Sequence, residues 1–592
     1  NWLSLRAQVS TDITDVKQTL KYESEQPNSL YDPNGSFQSI NRRYDIVYGD
    51  VMLNFNYNIN RFDIAATVGW TGRYENMNNI RVSTNGGLVT ENWFDLNASR
   101  YTPSSTLQRM ELLKTGYMGT LSLGWDNYLF LELTGRQERS STLKDQSFFY
   151  PSANLSFLFT QAFHMPSWWN YGKLRLSYGI VGNAPETYTA NIVYEQGSDN
   201  GFTWNTIPSS WGNADIRPEK KYEYEIGLES KFLNNRLGID VSYYNNRVKD
   251  QILSTPQPST SGVKNVLMNV GEVANHGWDI SISATPILTR DFRWDLTANY
   301  GVYKNKVVKL ADGVPYLEIL NSGGSGIKIQ AVEGQPMGDI YAQVPQVNEN
   351  GEYLVSDKGL YLNQTELQKV GNINPAGVGG LFNSFSYKNV FLDFSIDFRI
   401  GGDVINEMNQ YATAVGLTPE SLKYRDTEHG GLSYYYPGDN NSSGIPVQVD
   451  PSTGAGPNGE IIYHDGIILP GVVASTGERN TRIIPAGYYY NTTYNWGTEA
   501  EQLTYRHSVF DNSYVKLREL TIGYQFPEKM ISKLGLGRLS VSVFGRNLFY
   551  FYKALKNYDA ESSVGTSWAN QATVGSSTTA TRSFGVSLRA SF

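Results

Sequence analysis

The side chains best suited to chemistry in this 592-residue chain are its rings. Tyr434, Tyr435 and Tyr436, then Tyr488, Tyr489, Tyr490, Tyr494 and Trp496, fall within one long polar stretch, and Trp204 and Trp211 fall within another. Flat rings with polar tips stack on sugar faces or pack against a partner protein. The competing use is packing inside the loops or in an interfacial girdle, and the runs are too clustered for a girdle alone. Covalent chemistry has no comparable support. His164, His276, His429, His464 and His507 are scattered without ligand spacing. There is no G-x-S-x-G elbow, no Walker A loop and no H-E-x-x-H pair. The absence of cysteine excludes disulfides and thiolate metal sites. The sequence therefore predicts neither an enzyme nor a metal centre. A net charge of −8 without a Lys/Arg cluster sets nucleic acid aside.

The elements that position these rings are strands. In Phe584, Val586, Leu588, Ala590 and Phe592 an apolar face alternates with Ser583, Gly585, Ser587, Arg589 and Ser591. A period of two is a strand with one greasy and one wet face. The pattern recurs at Leu3–Val9, Val51–Tyr57, Phe62–Trp70, Gly119–Trp125, Leu129–Arg136, Ala153–Phe159, Leu174–Ile180 and Tyr222–Leu228. It continues at Leu237–Tyr243, Trp278–Ala284, Trp294–Val302, Gly380–Tyr387, Leu392–Ile400, Leu517–Phe526 and Leu539–Phe551. About 16 strands result. No apolar run approaches the length of about 18 residues that a spanning helix needs.

The connections alternate in length. Asn58–Arg61, Asp126-Asn127, Leu233–Arg236, Pro286–Asp291 and Lys388-Asn389 are tight turns, and His164–Gly172 and Pro527–Gly535 are somewhat longer. The long connections are 11–42, 76–105, 186–218, 303–375, 401–507 and 553–575. Short turns at one end and long loops at the other are the rhythm of an outer-membrane barrel. A soluble multi-sheet protein has no reason to keep it. The expected fold is thus an all-β transmembrane antiparallel barrel filling residues 1–592.

Charge placement agrees. Leu392, Phe394, Ile396, Phe398 and Ile400 share one face, while Asp393, Asp397 and Arg399 share the other with Ser395. Glu223 and Glu225 likewise oppose Tyr222, Tyr224, Ile226 and Leu228. In a dry core those charges would be costly, whereas a polar lumen removes the cost. Asp393, Asp397, Arg399, Glu223 and Glu225 are therefore expected to face the lumen. One strand breaks parity: Val515 and Leu517 are odd, Leu520, Ile522, Tyr524 and Phe526 even. A β-bulge near Arg518-Glu519 accounts for the switch.

Several motifs then resemble a known family. Ile216-Arg217-Pro218-Glu219-Lys220 followed by Tyr222–Leu228 looks like a signature of TonB-dependent outer-membrane transporters. Val370–Pro375, Gly379–Asn389 and Gly401–Asn406 resemble the SusC/RagA class of Bacteroidetes, as do Gly271–Trp278, Val515–Leu520 and Gly545–Phe549. The resemblance implies a 22-stranded barrel with an N-terminal plug, of which this chain would hold the C-terminal part. The chain starts inside a strand pattern at Asn1-Trp2-Leu3, and its last strand is expected to pair at Phe592 with a strand outside it or at its start. The resemblance implies import of oligosaccharides or oligopeptides across the outer membrane, driven by TonB through a plug that this sequence lacks. It also implies a SusD-like surface lipoprotein as a lid. The loops 186–218, 401–507 and 553–575, with their rings, would meet lid and substrate. A barrel serving as scaffold or secretion conduit is the alternative. Many members carry a calcium-like Asp-rich loop where this chain has Val347–Glu352. Its first and later Asp positions are lost, whereas calcium normally needs three to five hard oxygen ligands, so a calcium site in this loop is the lesser alternative and no other cofactor is implied.

Overall fold

The computed structural model describes residues 2–24, 32, 34–144, 147–199, 202–322, 326–438, 444–495, 504–563, 565, 567–574 and 580–591. Sixteen long strands pair antiparallel in chain order. They are β1 (Leu3–Tyr22), β2 (Ser36–Ile59), β3 (Phe62–Leu88), β4 (Ser99–Trp125), β5 (Leu129–Ser140), β6 (Ser147–Phe157), β7 (Trp169–Asn183) and β8 (Glu219–Phe232). The others are β9 (Leu237–Lys249), β10 (Glu272–Leu288), β11 (Phe292–Lys309), β12 (Gly377–Tyr387), β13 (Val390–Ile400), β14 (Tyr514–Gln525), β15 (Arg538–Lys553) and β16 (Ser583–Ser591). Each matches one alternating segment of the sequence. Among the described residues no helix is long and apolar enough to cross a membrane.

Strand lengths correct the sequence reading. The stretches 11–42 and 76–105 are mostly strand: β1 has 20 residues, β2 has 24, and β3 and β4 have 27 each. A barrel strand needs only about 9–11 residues to span, and 27 residues reach roughly 90 Å at about 3.3 Å each. The backbone ladder runs on past the apolar band, from Leu3↔Phe55 to Tyr22↔Ser36. There both faces are polar, so the alternation that marks a strand disappears although the pairing does not. The loop after β11 likewise begins only at residue 310. Phe159 lies in a helical turn, Phe159–Ala162, and not in β6. The β5–β6 connection, 141–146, is short although it lies at the long-loop end. Phe592, and with it the expected terminal pairing, lies outside the described residues.

Turn chemistry is local. Asn60, Asp126, Asn127, Leu233, Asn234, Asn235 and Lys388 all have φ between 52° and 61°. Asn and Asp tolerate that left-handed region better than other non-glycine residues, and tight hairpins require it.

The chain divides into two compact units, 1–230 with 242–274, and 231–241 with 275–592. In the first, rings line the turn end of the apolar face: Phe62 stacks on Trp125 at 6.4 Å, Trp125 meets Tyr128 at 5.3 Å, and Tyr128 meets Phe157 at 6.1 Å. In the second, Trp294 stacks on Phe385 at 5.5 Å, and Phe385 on Phe394 at 6.1 Å. Such rows form the aromatic girdle of a barrel at a membrane interface.

The second unit also carries a packed loop assembly. Residues 310–376 contribute an antiparallel sheet of Tyr316–Ser322, Ile327–Val332, Asp339–Ala342 and Gln368–Asn372. Residues 401–513 contribute helices α1 (Glu407–Ala414) and α2 (Ala486–Tyr494) and a small sheet around Leu432–Tyr435 and Tyr463–Ile467. Ile327, Ile329, Ile340, Ile405, Tyr505, Val509 and Ala572 form one buried cluster drawn from all three long connections of this unit. Burying such side chains contributes about 1.5–3 kcal/mol each, which lets loops of this length hold one arrangement.

Candidate functional site

The site is built where strands hand over to loops. On β13, Asp393, Asp397 and Arg399 share a face with Ser395, and their cross-strand partners on β12 and β14 include Ser384, Gly380, Thr521 and Lys516. Leu392, Phe394, Ile396 and Phe398 pair instead with Phe385, Asn383, Leu381 and Gly379 on β12, and with Ile522, Leu520, Leu517 and Val515 on β14. The register therefore separates a charged face from an apolar one. Loop residues pack on the charged face: Arg399 Nη2 donates to the Ile373 carbonyl at 3.0 Å.

That contact explains two motifs. Asp403 Oδ2 accepts the Asn372 N–H at 2.9 Å, Asn372 Nδ2 donates to Asp339 at 2.7 Å, and Asn374 Nδ2 donates to the Met337 carbonyl at 2.6 Å. A Cβ on Gly371 would lie 2.5 Å from the Asp403 carboxylate, so only glycine fits. Gly402, at φ 78°, turns the chain off β13 toward the loops. Burial raises the Asp403 carboxyl, partly opposed by the Asn372 N–H. The motifs are the strut that fastens the loop assembly to the strand ends.

In the first unit the charged face is lined with ion pairs: Arg6–Asp50 at 3.1 Å, Arg136–Glu138 at 2.8 Å and Arg175–Glu229 at 3.6 Å. Glu223 takes Lys221 at 2.6 Å and the Asn246 amide at 3.1 Å. Glu225 stands on the same side of β8 and is half-buried, whereas Tyr224, Ile226 and Leu228 are exposed.

The rings divide into two groups. Tyr434, Tyr435 and Tyr436 are buried, with relative exposures of 1%, 9% and 5%. Tyr434 stacks on Tyr463 at 5.5 Å and donates its hydroxyl to Asp465 at 3.1 Å. These three side chains are loop core, which corrects the expectation that they offer a stacking surface. They have little area left to lose to a lid. Tyr490 is also buried, its hydroxyl 2.9 Å from the Glu420 carbonyl it donates to. Tyr488, Tyr489 and Tyr494 are half-buried. Tyr494 stacks on His507 at 4.4 Å, and burial there pushes the imidazole down to about 4. Trp496 lies outside the described residues.

Trp204 and Trp211 differ. Trp204 sits on the hairpin Glu195–Asp199/Phe202–Thr206 opposite Gly197, and is 46% exposed. It is surrounded in sequence by exposed Tyr194, Phe202 and Ile207. Trp211 is half-buried and meets Tyr194 edge-on at 6.0 Å. Exposed apolar groups gathered on one hairpin mark a contact surface more than scattered ones do.

Among the described residues no group of three His, Cys, Asp or Glu side chains is placed to hold a metal ion. In the loop Val347–Glu352, Asn348 Oδ1 accepts the N–H groups of Asn350 at 3.0 Å and Glu352 at 2.9 Å, and its amide donates to Glu352. The turn satisfies its own polar groups. Sequence reasoning missed a further group: Lys516, Arg518, Lys553, Asp559 and Glu561, joined by ion pairs and hydrogen bonds at the loop end of β14 and β15. Only the parity break was visible. The bulge it foretold lies at Arg518, where the β13–β14 register shifts between Ser395/Ile396 and Glu519/Leu517.

Comparison with known proteins follows this geometry. The family described as TonB dependent receptor-like, beta-barrel matches residues 1–347. TonB-dependent receptor P3 of Formosa agariphila is 24% identical over 494 residues, 76% of this chain and 42% of that protein. TonB-dependent receptor SusC of Bacteroides thetaiotaomicron is 30% identical over 247 residues, 38% of this chain and 24% of SusC. Among solved structures, the RagAB peptide transporter superposes with a TM-score of 0.68 at 19% identity, covering 94% of this chain and 57% of that one. The last likeness speaks for the fold alone. The chain spans less than half the length of the curated relatives it matches.

Proposed function

The chain belongs to the TonB-dependent receptor-like β-barrel family, whose members sit in the outer membrane and transport rather than catalyse; from that premise we propose that it forms the barrel part of an energy-coupled importer of the SusC/RagA type. The observation that carries the reading is the pairing of an apolar, ring-girdled face with a charged face onto which an ordered loop assembly is fastened through Arg399 and Asp403. The apolar face meets lipid, and Asp393, Asp397, Arg399, Glu223 and Glu225 line the path. The loops cap its outer end.

TonB supplies the energy through a plug segment carried by the whole protein, and a SusD-like lipoprotein closes over the loops. The substrate is an oligopeptide or oligosaccharide, classes too large for passive pores. The exposed hairpin bearing Trp204 offers a surface of the first unit to lid or substrate, with Trp211 beside it. Tyr488, Tyr489 and Tyr494 keep partial exposure for the same use in the second unit.

Uptake of labelled peptide and oligosaccharide mixtures by cells carrying the intact gene tests the reading. Accumulation that stops when TonB or the neighbouring lipoprotein is removed is the expected result. Accumulation indifferent to TonB, or none alongside secretion defects, would support a conduit or scaffold instead.

A further inference from the structure

The charged group at the loop end of β14 and β15 is arranged around four consecutive residues of the last long connection. Tyr558, Asp559, Ala560 and Glu561 each hold a partner there. The Tyr558 carbonyl accepts from Lys553 Nζ at 2.6 Å, and Asp559 accepts the Tyr550 hydroxyl at 3.0 Å. The Ala560 carbonyl accepts from the amide of buried Asn512 at 2.9 Å. Glu561 is taken on both oxygens by Arg518, at 2.6 Å and 2.8 Å, and by Lys516 at 2.6 Å. Lys516 is 1% exposed, and its ammonium lies over the Tyr550 ring, as does that of Lys553.

The wall is built for this task. Lys516 stands opposite Asp397 on the charged face. Arg518 is the extra residue of the bulge, and a bulge re-aims a side chain. It turns onto Asp397 and Glu561 together, while Asn547, at φ 53°, accepts at 3.0 Å from Nη1, which also donates to Glu561. The segment is thus gripped as a bound peptide is, through two main-chain carbonyls and two carboxylates. Burial alone would raise the Glu561 carboxyl, but the bonds from Arg518 and Lys516 outweigh it and hold it down to about 2.

Charge counting shows what removal would leave. Lys516, Arg518 and Lys553 face Asp397, Asp559 and Glu561, three cations against three anions. Without Asp559 and Glu561 the wall keeps three cations and one anion, a surplus of two. Lys516 is buried with the segment in place and loses its ion pair when Glu561 leaves, so a ligand that replaces both carboxylates favours the open state over an empty one.

We propose that Tyr558–Glu561 is a built-in ligand mimic occupying a site for an acidic peptide, and that binding such a peptide displaces the segment and frees the last long loop. The proposal rests on the importer reading for its biological setting, but not for its test. The main-chain contacts to the Tyr558 and Ala560 carbonyls select a peptide over an acidic sugar. A ligand shifts the loop only as far as it favours the open state over the closed one. An acidic peptide qualifies because its site exists only when the segment has left.

The test uses the whole protein purified from outer membranes, the double variant Asp559→Asn/Glu561→Gln, and fluorescence binding without TonB or lid. The probes are a synthetic peptide of the 558–561 sequence, its amide counterpart with Asn and Gln in place of the acids, and a uronic acid oligomer. The double variant should bind the acidic peptide at least about tenfold more tightly than the unaltered protein, and neither should bind the amide counterpart. In the unaltered protein the acidic peptide should also speed proteolytic cleavage within 553–563. Adding Lys553→Gln to the double variant should weaken binding while heat-modifiable migration confirms a folded barrel. Equal affinity in both proteins, or equal binding of the amide peptide, would overturn the proposal. Preference for the uronic acid oligomer would overturn the choice of peptide. Failed uptake with intact binding would count against the importer reading alone.

Discussion

Rings serve opposite ends in two regions of this molecule. Along the turn end of the strands, on the apolar face, Phe62 stacks on Trp125 in the first unit and Phe385 on Phe394 in the second. In the loop assembly Tyr434, Tyr436 and Tyr490 are buried; the Tyr434 hydroxyl finds Asp465 and the Tyr490 hydroxyl the Glu420 carbonyl. The same residue class covers a surface in one place and fills a core in the other. The difference lies in what surrounds it. A strand with one face in lipid leaves an apolar ring nowhere better to go. A loop of a hundred residues must make its own core, and tyrosine gives it area without an unsatisfied polar group. Ring clusters in a long polar loop therefore need not announce a binding surface.

The largest break in that comparison is Tyr434→Ala. Removing a fully buried aromatic typically costs about 3–5 kcal/mol, here concentrated in the loops. The 401–513 region should become sensitive to protease while the barrel keeps its heat-modifiable migration. A substitution without effect on loop protection would return Tyr434 to the surface. Next comes Phe394→Arg on the apolar face. It should cost about 2–4 kcal/mol if it sits near the bilayer midplane and less toward an interface, read from urea unfolding in liposomes. If Asp393→Arg proves the more damaging of the two, the face assignment is reversed.

A smaller effect sharpens the loop side. His507 lies under Tyr494, with its folded-state pKa lowered to about 4 from an ordinary 6.5. The unfolded chain then binds the proton first. Stability is full above about pH 6.5 and falls as pH drops toward 4, by roughly 3 kcal/mol if the whole shift is realised. His507→Gln should flatten the acid limb of loop protection between those values. An unchanged limb would assign it to carboxylates whose pKa folding lowers, such as Glu561.

How much was legible follows from the same contrast. All sixteen strands could be found because lipid on one side enforces an apolar residue at every second position, as in Leu392–Ile400. Their true lengths could not, because past the apolar band polar pairs stand on both faces, Asn78 opposite Arg109 on one and Asn79 opposite Gln108 on the other, while the ladder continues. The bulge at Arg518 was readable since an extra residue flips parity. The Glu561 contact was not, for it joins residues 43 positions apart through side chains on a loop. Nor could the spacing of Tyr434–Tyr436 distinguish a stacking platform from a core.

Site-directed spin labelling tests the central claim most directly, and these 592 residues bring no cysteine of their own to compete for the label. Cysteines placed one at a time from Leu392 to Arg399, in the whole protein in liposomes, report oxygen and water-soluble nickel-chelate accessibility. The account predicts a strict two-residue period. Oxygen should dominate at positions 392, 394, 396 and 398, and the label should be screened from oxygen at 393, 395 and 397. Oxygen maxima at 393 and 397, or no period at all, would contradict a barrel strand with lipid on one face and a polar lumen on the other.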